Sequence, residues 1–192
     1  RAAAGLFWVS LTTAIGRVAS LVASLVLGWL LTEDDFGLQA LATSIFSVVL
    51  FIQDGGALRM LRHSEEYERL GRAVGQVTLG FNIGGGLIIL LAAPIAAWIY
   101  KEPLLIPMLA IVAVSLPLNN RPMIRRTKLM TDMRFRELAR MGTLYVLVRN
   151  GAMIAFALLG FGPFSFALPL IVVALVDWWY VARLVPGPIP GQ

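Results

Sequence analysis

The sequence has no cysteine and a single histidine, His63. Disulfides and thiolate metal centres are thereby excluded, and one histidine in a charged stretch does not make a structural zinc site. No metal and no cofactor is expected. Charge is scarce as well: 14% of residues are charged and 58% are hydrophobic, where a soluble domain carries roughly a quarter charged residues. There is too little polar material to cover a water-facing surface. Catalytic signatures are missing too. No HExxH or GxSxG occurs, and no glycine-rich loop ends in Gly-Lys-Ser/Thr. Gly160-Phe161-Gly162 lacks the later glycine and the strand of a dinucleotide site. The expectation is a protein that is not an enzyme. Any transport would draw on an ion gradient or on the gradient of the substrate, not on ATP hydrolysis by this chain. The chain starts at Arg1 and not at Met, which suggests a beginning inside a longer protein. The first apolar stretch is too long for a signal peptide, and no small-residue cleavage site follows it.

What is present is long apolar runs divided by short polar breaks. Each crossing of about 30 Å of hydrocarbon needs about 20 apolar residues. Six spans fit, at about 5–31, 36–58, 73–100, 104–118, 141–159 and 164–185. Backbone groups in lipid must be satisfied internally, so the choice is helices or a closed barrel. Barrel strands alternate apolar and polar residues over about ten positions, and these runs are continuous. The expected fold is an all-α membrane protein, one bundle of six transmembrane helices. Asp34 or Asp35 is placed to cap the second helix.

Positive charge sits in alternate loops. Arg59, Arg62, Arg69 and Arg72 follow the second span. Arg121, Arg125, Arg126, Lys128, Arg134, Arg136 and Arg140 follow the fourth, whereas the other loops hold only Lys101. By the positive-inside rule the chain is multi-pass with both termini in the cytoplasm. The clusters fit anionic membrane lipids. Nucleic acid is not an expected partner, because no basic stripe on a soluble fold is available. The basic stretch also interleaves apolar residues such as Met123, Leu129 and Phe135, so part of it suits an amphipathic helix on the inner leaflet.

Small residues at four-residue spacing, Gly71/Gly75 and Gly80/Gly84, point to close helix packing in the third span. Pro94, Pro107 and Pro117 are candidate bends. Ionisable groups inside spans are the informative ones. Arg17 falls near the middle of span one and Arg149 deep in span five. A buried arginine costs roughly 3 kcal/mol on insertion scales and is tolerated when it meets a wet cavity, an acidic partner or an anion. Two deep arginines outnumber the one acidic residue at comparable depth, Asp177, which favours an anion-attracting cavity over a structural ion pair. Asp177 and Asp54 are candidates for ion coupling or ion pairing, and Asn82 is a polar candidate for the cavity or for an interhelical hydrogen bond.

Several segments, in this order and spacing, resemble the polysaccharide flippases of the multidrug/oligosaccharidyl-lipid/polysaccharide (MATE-like) superfamily. They are Gly5-Leu6-Phe7-Trp8 with Arg17, Leu31-Thr32-Glu33-Asp34-Asp35-Phe36-Gly37-Leu38, Asp54-Gly55-Gly56, Arg134-Phe135-Arg136-Glu137-Leu138-Ala139 and Gly160-Phe161-Gly162-Pro163-Phe164-Ser165. The resemblance implies one lobe, the N-terminal one, of an alternating-access transporter of the bacterial inner membrane. The cargo it implies is an undecaprenyl-pyrophosphate-linked oligosaccharide, a precursor of polysaccharide or lipopolysaccharide, whose pyrophosphate or acidic sugars would meet Arg17 and Arg149. A second lobe or a homodimer partner would complete the cavity. Three rival readings remain: a drug/cation antiporter of the same superfamily, a membrane enzyme of sugar or lipid metabolism, and a non-transporting membrane scaffold.

Overall fold

The computed structural model describes the backbone of residues 2–53, 64–131 and 134–184, and most side chains from residue 12 onward. These residues form six α-helices: α1 (Ala2–Leu30), α2 (Glu33–Gln53), α3 (Ser64–Tyr100), α4 (Leu105–Thr131), α5 (Phe135–Leu158) and α6 (Phe164–Leu184). Within them, Thr12–Leu30, Gly75–Tyr100 and Glu137–Leu158 are each long and apolar enough to cross a membrane. Leu105–Asn120 and Phe164–Tyr180 are shorter apolar stretches. Large apolar side chains cover the outside. Trp29 is 92% and Trp98 82% exposed, with Leu25, Leu91 and Ile95 also facing outward. Large apolar side chains exposed in this number mark a surface that meets something other than water. The fold is an all-α membrane protein.

Tight turns punctuate the helices where the backbone is prepared for them. Thr32 precedes α2, and its hydroxyl accepts the Asp35 N–H (3.4 Å). Asp35 Oδ2 in return accepts from the Thr32 N–H and hydroxyl, both at 2.9 Å. This reciprocal capping box satisfies donors that the first helical turn leaves free. Thr32 is thus the cap, and Asp35 the residue that answers it. Gly160, at φ +78°, ends α5: Phe161 N–H reaches the Phe156 carbonyl (3.1 Å) and Gly160 N–H the Ala157 carbonyl (3.0 Å). This is the Schellman arrangement, in which glycine takes the left-handed position without steric cost. Lys101 holds the same position after α3, at φ 58°, with Glu102 N–H on the Ala97 carbonyl (3.1 Å).

Two of the turns meet. An ideal Cβ on Gly162 would lie 3.2 Å from Asp35 Oδ1, and the Phe36 and Phe166 rings are 5.5 Å apart. The first turn and the α5–α6 turn, both among the segments that carry the family resemblance, therefore pack together at one end of the bundle.

The helix α4 lies at the centre. Leu105, Met108, Leu109 and Val112 pack against Ile89, Ala93 and Ala97 of α3 and Leu38 and Ala42 of α2. Small side chains on α3 let the backbones approach, which matters because lipid supplies no hydrophobic drive between helices. At the other end Leu129, fully buried, packs with Met141, Leu138 and Tyr180. By contrast, α1 packs mainly on α5.

Helix boundaries depart from the expected spans in one consistent way. α3 begins at Ser64, α4 runs to Thr131, and α5 begins at Phe135. Each extends beyond its apolar run into the basic segments. The stretch after residue 118 is therefore largely the continuation of α4 and not a separate surface helix. A span ends where side chains turn polar, but a helix continues as long as its backbone bonds are kept. Pro94 and Pro117 lie inside helices as expected, whereas Pro107 falls in the first turn of α4, where a missing N–H costs nothing. Pro122 and Pro169 are further internal prolines.

Candidate functional site

A cleft of about 710 Å³ runs between α1 and α5. The two helices are parallel and in step. Gly16 faces Val146, where an added Cβ would sit at ordinary contact distance, 3.7 Å. One turn on, Asn150 Nδ2 donates to Ser20 Oγ (3.2 Å). The α1 wall carries Thr12, Thr13, Arg17, Ser20 and Ser24 at helical spacings that place them along one stripe. The α5 wall is apolar or small: Leu138, Ala139, Gly142 and Val146.

Arg17 stands in the middle of this stripe. It lies thirteen residues before Leu30, the end of α1, so it is about 20 Å from that end at 1.5 Å per residue. Among the described residues no carboxylate lines the cleft. Among the described residues Arg17 makes no ion pair and no hydrogen bond. The guanidinium is exposed, with its donors available to a ligand, and its planar fork matches phosphate or carboxylate oxygens two at a time.

The other candidates are not gathered at this place. Arg149 is exposed on α5, next in sequence to the Asn150 that ties the cleft, but does not line it. It too has no ion-pair partner among the described residues. Asn82 lies on the α3–α4 seam. Its Nδ2 donates to Asn120 Oδ1 (3.1 Å), and the buried Asn120 donates onward to the Gly75 carbonyl (3.2 Å). Its amide thus serves as an interhelical hydrogen-bond former, the second of the roles expected for it. Asp177 is buried on α6 and does not line the cleft. Asp54 lies outside the described residues.

Sequence reasoning passed over Ser20, Ser24 and Asn150. The signal was available: Thr13, Arg17, Ser20 and Ser24 share one helical face in a segment otherwise rich in leucine and valine.

Near the cleft, Arg134 Nη2 pairs with Glu137 Oε1 (2.6 Å) at the start of α5, and the same oxygen accepts from Arg134 Nε (3.0 Å). This ties down the segment that precedes Leu138 and Ala139. At the end of α6, Arg183 stacks over Trp179, 3.8 Å from the ring centroid, beside the half-exposed Trp178. Aromatic residues paired with cations mark a membrane–water interface.

Searches of curated proteins and of solved structures find no match to the chain. A family model described as "Polysaccharide biosynthesis protein" matches residues 26–187, most of the chain. With six helices on view, three of them long and apolar enough to cross a membrane, the match decides the affiliation: the chain belongs to this family of polysaccharide biosynthesis proteins.

Proposed function

We propose that the chain is part of a flippase that carries lipid-linked oligosaccharide precursors across the bacterial inner membrane by alternating access, without covalent chemistry of its own and without a cofactor. The cargo class is an undecaprenyl-pyrophosphate-linked sugar, and Arg17 meets its phosphate. A second lobe or a second copy of the chain completes the path. Both termini lie in the cytoplasm, where the basic ends of α4 and α5 meet anionic lipid.

The observation that carries this reading is Arg17. It sits mid-helix in a membrane-crossing segment, on the wall of a cleft, with neither an ion-pair partner nor a cleft-lining carboxylate among the described residues. A cation placed there costs roughly 3 kcal/mol unless water or an anion attends it. The same observation weighs against the drug/cation antiporter, since a cationic cargo calls for carboxylates on the cleft wall. The family match supports a role in making polysaccharide.

The test is Arg17→Ala, and separately Arg149→Ala, in the complete protein in cells. Surface polysaccharide is expected to be lost while membrane insertion and protein level stay normal. Normal polysaccharide from both variants would refute the role.

A further inference from the structure

Hydroxyls on membrane helices commonly turn back onto a carbonyl of their own helix. Five here do so. Ser44 donates to the Ala40 carbonyl (2.8 Å), Ser47 to Ser44 (2.8 Å), Thr78 to Gly75 (3.1 Å), Ser115 to Val112 (2.7 Å) and Thr143 to Ala139 (3.0 Å). Ser20 and Ser24 do not. Among the described residues, Ser20 only accepts, from Asn150 Nδ2, so its proton is unused. Ser24 has no partner among them. Thr43 on α2 and the buried Ser165 on α6 share that condition but do not line the cleft, whereas Ser20 and Ser24 both do.

Their positions relative to Arg17 give the pattern a direction. Arg17, Ser20 and Ser24 are spaced three and then four residues apart, on one face of α1. They span about 10 Å along the helix axis. One end of the row is a cation with a bidentate fork. The rest is two hydroxyls, neutral groups that both donate and accept, the first of them held by the Asn150 amide from α5. A sugar hydroxyl also both donates and accepts, so neutral partners of this kind match it without a desolvated charge.

We infer that Ser20 and Ser24 form a sugar subsite beside Arg17, with Asn150 orienting Ser20, and hold hydroxyls of the sugar bonded to a phosphate seated on that arginine, so that the cleft distinguishes a glycosylated lipid phosphate from a bare one. The inference rests on the proposed phosphate role of Arg17. Ser24 is the cleaner handle, because Ser20 and Asn150 also tie α1 to α5.

The experiment uses the complete protein in lipid nanodiscs and two probes: a short prenyl pyrophosphate, and the same prenyl pyrophosphate carrying one hexose. The parent protein binds the hexose-bearing probe more tightly. Ser24→Ala weakens that probe about fivefold, the size of one lost hydrogen bond, and leaves the bare probe unchanged. Ser24→Thr, which keeps the hydroxyl, retains the preference. Arg17→Gln weakens both probes. If Arg17→Gln weakens both but Ser24→Ala leaves the preference intact, the sugar subsite is overturned and the phosphate role stands. Equal binding of the two probes by the parent protein overturns the subsite in the same way. If Arg17→Gln changes neither probe, the phosphate role falls and the subsite with it.

Discussion

The carbonyl of Ala113 on α4 faces the bare Cα of Gly86 on α3, so closely that a Cβ on Gly86 would lie 3.0 Å from the oxygen. The reason lies four residues further along α4. Pro117 has no N–H, so the bond that would normally return to Ala113 is not made. The freed oxygen turns toward the neighbouring helix, and only glycine leaves room for it. A Cα–H···O contact of this kind recurs at close helix interfaces. The α3–α4 seam is thus organised by a proline on one helix and a glycine on the other.

Replacing Gly86 by valine should destabilise the protein by about 1–3 kcal/mol, the usual cost of overpacking. Gly84→Ala is the control, since nothing lies within 4 Å of a Cβ there. It should be neutral or slightly stabilising, because alanine favours the helix by up to about 1 kcal/mol. Thermal unfolding in detergent checks both. Equal tolerance at the two positions would mean that the helices are not in contact at Gly86.

Asn120→Ala should cost about 1–2 kcal/mol in the same assay, because it removes two bonds at once and strands the Asn82 amide. Asn82→Ala should cost less, since Asn120 keeps its bond to the Gly75 carbonyl. The double variant should cost less than the two single losses added, as expected for residues in direct contact. Strict additivity would show that the two amides do not bond.

The helices and turns were legible because each is written locally. Apolar runs set the spans, and Gly160 and Gly162 mark a turn that needs positive φ. The full lengths of α3, α4 and α5 were not legible from hydropathy, which registers where lipid ends and not where helical bonds end. Arg17 was legible as a lone charge within an apolar run. Its setting was not, because the α5 wall of the cleft comes from residues some 130 positions away. Asn82 shows the same limit. A polar residue in a span announces that it needs a partner, but Asn120, which answers it, is fixed only by packing. Ser20 and Ser24 were readable in principle from the helical face they share with Arg17, yet serine in a membrane helix ordinarily bonds to its own backbone.

The central claim is that the Arg17 face of α1 borders a wet, anion-accepting cleft while the opposite face meets lipid. Residues 1–192 hold no cysteine, so single cysteines can be introduced here and probed one at a time once any cysteine elsewhere in the complete protein is replaced by serine. The most direct measurement is the rate at which a charged, water-soluble thiol reagent modifies Ser24→Cys and Thr13→Cys in the complete protein in membranes, compared with Leu25→Cys, whose parent side chain is 69% exposed on the outer surface. The account predicts rapid modification at positions 13 and 24, slowed by added prenyl pyrophosphate, and little reaction at 25. Positions 13 and 24 as unreactive as 25 would contradict it, because the arginine stripe would then lie in hydrocarbon.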